Sequence, residues 1–347
     1  MRADPANLEE PDRIPGQPHP RECYELFGQD EALSRASRAI RGGRPPHGLL
    51  LAGEPGIGKA TLAYRIARYL LRYGATGDGP ADLFVPPDDR VSRQVEAGAH
   101  PGLLVLRRPW DDKGKLKSFL TVSEVRKLGE FFGLKSASGG WRVALIDSAD
   151  DMNPNAANAL LKNLEEPPAR SLLILIGHAP GKLLPTIRSR VRRLDMKPLP
   201  ENLVVEMLTR MAPDLGQDER SLLARLSEGS LGLALRLAGE EGAQLAEGAE
   251  QLLATGSPDW TAMLKLADRV GRRPDNLEAF GDFLQRAVSR RIRAQTEAGH
   301  NGERAVELWE QLNGLFSRSS EFNLEPRQTV LAAAALIATA HRQHVLL

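Results

Sequence analysis

The stretch "LAGEPGIGKATLAYRIARYLL", residues 51–71, decides the fold. An apolar run leads into Gly53, Gly56 and Gly58, and Lys59 opens a segment with helical periodicity. Gly-x-x-x-x-Gly-Lys is the spacing of a phosphate-binding loop. Glycines let the backbone turn tightly, so that amide N–H groups point at phosphate oxygens. The following helix adds the positive end of its dipole, and the lysine reaches the β- and γ-phosphates as a point charge. The competing reading is a glycine-rich strand-to-helix turn with Lys59 simply solvated. The slot after the lysine normally holds a hydroxyl that ligates magnesium, and here it holds Ala60. Magnesium demands near-octahedral oxygen coordination, so one protein ligand is missing. Thr61 is one residue further on. It stays among the candidate nucleotide contacts, although ordinary helix packing accounts for it better.

Working outward, short apolar runs alternate with helical patterns as far as residue 198. Strands are expected at "GLLLAG" (48–53), "LLVL" (103–106), "RVALID" (142–147), "LLILIG" (172–177) and "VRRLDM" (191–196). The middle three are continuously apolar, as strands covered on both faces are. Helices are expected at 61–73, 121–133 and 155–166, the last stopped by Pro167 and Pro168. Alternation of this kind predicts a parallel, doubly wound α/β sheet. Residues 74–100, rich in Gly, Pro and Asp, read as a surface insertion of little structure. After Pro198 and Pro200 no strand pattern remains. A compact helical unit is expected over 199–242 and longer amphipathic helices over 243–347, including 276–299 and 302–322. Proline-rich residues 1–20 read as a disordered lead-in to a nucleotide-binding domain over 21–198.

Composition is that of a globular chain: 347 residues, 41% hydrophobic and 26% charged. A net charge of +1 supplies no general field for nucleic acid or an anionic membrane. The lone Cys23 excludes an internal disulfide and a cysteine-rich zinc site, and reads as a reduced cytosolic thiol. The most apolar late run, 329–340, is too short to span a bilayer and reads as a buried helix. The expected location is cytoplasmic.

A loop of this type that hydrolyses ATP also needs an acidic pair at the end of a second strand. "ALIDSAD" supplies Asp147, which could orient metal-bound water, but Ser148 follows where a glutamate would polarise the attacking water. Asp150 stands too far along to replace it. Two parts of a hydrolytic site are therefore degraded together, leaving Gly53, Gly56, Gly58, Lys59, Thr61 and Asp147 as the candidate nucleotide site. Bound ATP or ADP is compatible with it, and hydrolysis is not expected.

Several segments together resemble one family: "LFGQDEAL" (26–33), "GEPGIGKATLAYRIARYL" (53–70), "NPNAANALLKNLEEPP" (153–168), "LLPTIRSRV" (183–191) and "GSLGLAL" (229–235). They look like the AAA+ subunits of bacterial DNA polymerase III clamp loaders, over residues 21–240. The degraded loop and the Asp147–Ser148 pair resemble the delta-prime type more than the gamma/tau motor type. The resemblance implies a RecA-like AAA+ domain, a helical lid and an all-α C-terminal collar for oligomerisation. It also implies a place in a pentamer with gamma/tau and delta subunits that loads a sliding clamp onto primer–template DNA. Within Ser189–Arg190–Val191, it makes Arg190 a candidate arginine finger acting on a neighbour's ATP. An arginine fork can stabilise the charge that develops on a transferred phosphoryl group. The alternative is that Arg188, Arg190 and Arg192 form a solvated basic strand edge. Family members often carry a phosphate-sensing Thr or Asn where His178 stands, a sensing Arg near Leu231 and Gly232, and a four-cysteine zinc module in place of 74–100. No zinc is expected, and Arg236 lies more than a turn beyond the sensing position. A self-sufficient AAA+ ATPase, either a motor-type subunit or a branch-migration helicase motor, remains the alternative function. A P-loop kinase lacks an acceptor site.

Overall fold

The computed structural model describes residues 10, 12–14, 16–111, 116–117, 119–133, 140–238, 242–255, 259–299, 302–322, 324–343 and 345. The chain divides into two compact units, Met1–Leu235 and Arg236–Leu347.

Five parallel strands form the centre of the first unit: β1 (Gly48–Ala52), β2 (Leu103–Arg107), β3 (Arg142–Asp147), β4 (Ser171–Gly177) and β5 (Arg192–Asp195). Their order is β2-β3-β4-β1-β5. Because successive residues of a strand face opposite sides, one continuously apolar strand feeds two cores. Along β4, Leu172, Ile174 and Ile176 join the core on one face, and Leu173 and Leu175 join the core on the other. Residues 49–52 of β1 divide in the same way. On the first face lie α1 (Asp30–Arg41) and α2 (Lys59–Tyr73), contributing Ala36, Ile40, Leu62, Ile66 and Leu70. On the second lie α4 (Val122–Gly133) and α5 (Pro154–Glu165), contributing Val125, Leu128, Ala156 and Leu160. The strand β2 is less deeply covered than β3 and β4 because it is an edge strand.

Two segments depart from expectation. Residues 74–100 are built into the first core: Leu83 is fully buried, as are Val85 and Val95, the latter on α3 (Arg90–Glu96). Hydrogen bonds replace regular structure there. Arg65 of α2 donates to Asp82, Arg41 of α1 to the Gly77 carbonyl at 2.9 Å, and Ser37 to the Ala81 carbonyl. Composition hid this because the few large apolar side chains in these 27 residues, Leu83, Phe84, Val85, Val91 and Val95, follow neither a helical nor a strand period. The second departure is the lead-in. Residues 1–9, 11 and 15 lie outside the described residues, but those from Glu10 to Pro20 that are described pack against the unit, with His19 fully buried.

Beyond β5, α7 (Glu201–Met211), α8 (Gln217–Leu226) and α9 (Leu231–Leu237) follow, and α7 and α8 share a compact unit with the sheet. The second unit is helical: α10 (Gly242–Thr255), α11 (Trp260–Val270), α12 (Pro274–Glu297), α13 (Glu303–Phe322) and α14 (Pro326–Arg342). Phe280 of α12 meets Phe316 of α13 edge-on, and Gly281 brings the two helices close. The apolar run 329–340 is indeed helical and contributes Val330, Ala333, Ala334 and Ile337 to this unit's core. Among the described residues, no helix is long and apolar enough to cross a membrane.

Candidate functional site

In an open α/β sheet, ligands sit beyond the carboxyl ends of the strands. The loop from Gly53 to Gly58 leaves β1 at that end and enters α2. Gly53, Gly56 and Gly58 all have positive φ, at 149°, 77° and 102°. At 77° and 102° a side chain would be strained, so the sequence spacing reflects a real backbone need. The start of α2 therefore presents its unsatisfied amides where a phosphate would lie, and in backbone terms the loop fits a nucleotide phosphate.

Lys59, the first residue of α2, is 3% exposed and not solvated. Its ammonium donates to the carbonyls of Gly53 at 2.7 Å and Glu54 at 2.5 Å. Ala60 offers no oxygen to a metal, and Thr61 lies half-buried in the first turn of α2. Among the described residues no group of three or more His, Cys, Asp or Glu side chains stands together as a metal-ligand set.

Asp147 ends β3 beside this loop. Burial pushes its carboxyl up to about 7, and the nearby Asp12 carboxylate adds to the shift, while Arg107 and Lys59 oppose it. Asp150 has a structural task. Its carboxylate accepts from the backbone N–H groups of His178 (2.9 Å) and Ala179 (2.9 Å), tying the end of β3 to the end of β4. The backbone of His178 thus belongs to a strand-end clamp.

Arg190 does not alternate with Arg188 and Arg192 along a strand. Arg188 closes α6 (Pro185–Arg188), Arg192 opens β5, and Arg190 projects from the turn between them. Its side chain is 38% exposed. One Nη bonds Glu165 Oε1 at 2.9 Å, and the other donates to the Thr186 carbonyl at 3.1 Å. Glu165 lies in the "NLEEPP" stretch, so two separate sequence motifs meet at this guanidinium. Arg236 stands exposed near the end of α9.

Some site residues escape sequence reasoning. Gln29 is buried, and its amide donates to the carbonyls of Ile57 (3.1 Å) and Lys197 (2.8 Å), joining the loop to the chain leaving β5. Ser230 and Gly232, at the start of α9, bond directly to the loop. Arg107, at the end of β2, is held by Glu10 (3.2 Å) and Asp12 (2.6 Å). The only sequence signal was that Gln29, Ser230 and Gly232 fall within family-like stretches. Arg107 had none.

Comparison with known proteins bears on the whole arrangement. A family model described as DNA polymerase III, delta subunit, matches residues 28–200. A protein named DNA polymerase III subunit delta' from Pseudomonas aeruginosa is 39% identical over 219 residues, covering 61% of this chain and 63% of that protein. One of the same name from Escherichia coli is 34% identical over 254 residues, covering 73% of this chain and 72% of its own length. DNA polymerase III subunit tau of Escherichia coli is 30% identical over 225 residues, covering 63% of this chain and 32% of that protein.

Proposed function

This chain belongs to the DNA polymerase III delta' family, and from that premise we propose that it is a non-hydrolysing stator of the clamp loader. In this role it joins gamma/tau and delta subunits in the cytoplasm, and the assembly loads the sliding clamp onto primer–template DNA. The helical second unit serves as the collar through which the subunits associate. The chain's own loop holds ATP or ADP weakly if at all, through the amides at the start of α2 and Lys59. Ala60 and Ser148 leave it without a magnesium ligand and without a water-polarising carboxylate. Its chemical contribution is Arg190, supplied to a neighbouring subunit's ATP.

The observation that carries this reading is the placing of Arg190. It is exposed on a turn, outside any strand, where a surface ion pair with Glu165 and a bond to the Thr186 carbonyl hold its guanidinium. Such a pair contributes about 0–1 kcal/mol, so a phosphate on an adjacent subunit can displace Glu165 at little cost. Glu165 and the Thr186 carbonyl thus act as a rest for the guanidinium.

The isolated chain is expected to show no ATP turnover, and leaving it out of a reconstituted loader should abolish clamp loading. Robust turnover by the chain alone would instead make it a self-sufficient AAA+ ATPase.

A further inference from the structure

Arg190 and Glu165 meet on the surface because their chain neighbours meet beneath it. Leu164 precedes Glu165 at the end of α5, and Val191 follows Arg190 and leads into β5. Both pack in the second core, as does the fully buried Ile187 of α6. They converge on Gly48, the buried first residue of β1. A Cβ at Gly48 would stand 2.8 Å from Val191 Cγ1 and 3.0 Å from Leu164 Cδ2. Gly48 is not among the glycines with positive φ, so it serves here by leaving room and not by freedom of its backbone. Pro167 and Pro168 stop α5, so that Glu165 is the last residue of the helix.

On this base the guanidinium of Arg190 has three partners. Nη2 pairs with Glu165 Oε1 at 2.9 Å, and Nη1 donates to the Thr186 carbonyl at 3.1 Å and to Ser189 Oγ at 3.3 Å. Ser189 is itself held, its hydroxyl donating to the same Thr186 carbonyl at 3.1 Å. Three of the five N–H donors are thus engaged, and two are left for a phosphate. Thr186 and Ser189 belong to the arginine's own stretch of chain and travel with it. Among the three partners, Glu165 alone comes from another element, so it fixes the guanidinium relative to the sheet. An arginine that meets a phosphate from many rotamers loses more conformational freedom than one already seated.

We propose that Glu165 is a positioning residue for Arg190, and that Gly48 provides the space on which their meeting depends. The bare backbone at Gly48 lets Leu164 and Val191 close over β1, and that closure brings the carboxylate to the guanidinium. The proposal rests on the reading of Arg190 as a finger for a neighbouring ATP. It adds that this chain sets the finger in place before the neighbour's phosphate arrives. Glu165 acts only through Arg190. The finger's interaction grows with the charge that develops in the transition state, so loss of the seat lowers kcat at the neighbouring site and leaves the KM for ATP unchanged.

The test is DNA-stimulated ATP turnover of the reconstituted loader, with assembly checked by gel filtration and the fold of each variant by melting. Arg190→Ala defines the share of turnover that the finger carries. Glu165→Ala should cut the kcat of that share about two- to fivefold, the range that a surface pair can supply, at unchanged KM. Glu165→Gln keeps an acceptor oxygen and should recover part of the loss. Gly48→Ala should cut the share at least as far, since it moves the turn itself; if it does not fold, the two variants at the exposed Glu165 decide alone. In an Arg190→Ala background none of the three should lower turnover further, whereas general damage to the chain would. An unchanged or raised share with Glu165→Ala would overturn the proposal and leave the finger standing, because the carboxylate would then be a bystander or a restraint. A further loss in the Arg190→Ala background would overturn it too, because Glu165 would then act elsewhere. No effect of Arg190→Ala itself would overturn the finger reading and this proposal with it.

Discussion

Replacing Asp147 by Asn should change the pH dependence of stability in a direction fixed by its surroundings. The carboxyl of a solvated aspartate titrates near 3.8, whereas that of Asp147 is pushed up to about 7 by burial and by Asp12. Between those values the folded chain holds a proton that the unfolded chain has released. Stability therefore falls as pH rises from about 4 to about 7 and levels off above. Roughly three pH units at 1.36 kcal/mol each set an upper bound of about 4 kcal/mol on the loss. Asp147 keeps some contact with solvent, which trims the loss to about half that. An asparagine at this position has no such proton. The two proteins should differ by a constant below about pH 4, and from there the variant should gain about 2 kcal/mol on wild type by pH 8. Urea unfolding at a series of pH values measures this, followed by the fluorescence of Trp141 with the other three tryptophans changed to Phe. Trp141 packs against the first core, so it reports the correct unit. A pH-independent difference would mean that Asp147 ionises as in water. A wild type that gains on the variant as pH rises would mean that Arg107 and Lys59 outweigh burial.

Other expectations follow from the same geometry. Leu83→Ala should cost about 2–5 kcal/mol in denaturant unfolding, because Leu83 is fully enclosed in the first core, and a surface-loop leucine would cost almost nothing. Gln29→Ala should cost about 1–3 kcal/mol, since it leaves the Ile57 and Lys197 carbonyls without their donor; a melting shift too small to resolve would show that water replaces it. Gly58→Ala forces a side chain into φ 102° and should destabilise by about 1–3 kcal/mol, whereas Gly129→Ala, in mid-helix with open space around it, should be neutral or stabilising by calorimetry.

The parallel sheet was readable because four of its strands are short, largely apolar runs between turn-forming residues, whereas the edge strand β5 is mostly charged and turns only Leu194 into the core. The phosphate loop was readable because its glycines answer to positive φ, which few other residues tolerate. Residues 74–100 were misread for a physical reason: they are held by Arg65, Arg41 and Ser37, donors that lie on other elements. The same holds for the lead-in, whose acidic residues bind Arg107 nearly a hundred positions away. The motif singled out Arg190 but not its ion-pair partner Glu165, because the two meet only where α5 ends beside the turn before β5. Gly232 shows the limit most clearly. In the sequence it marked a missing arginine, and in the fold it is a contact that no side chain would permit.

The central claim is that a chain with a degraded loop serves catalysis through Arg190. The direct measurement is DNA-stimulated ATP turnover of the reconstituted loader carrying wild type or Arg190→Ala, with assembly verified by gel filtration. An arginine finger is worth about 10³-fold or more at the site it serves. The account predicts that the complex assembles normally but loses the share of turnover carried by the neighbouring site. Turnover indistinguishable from wild type would contradict it and leave Arg190 as a surface partner of Glu165 alone.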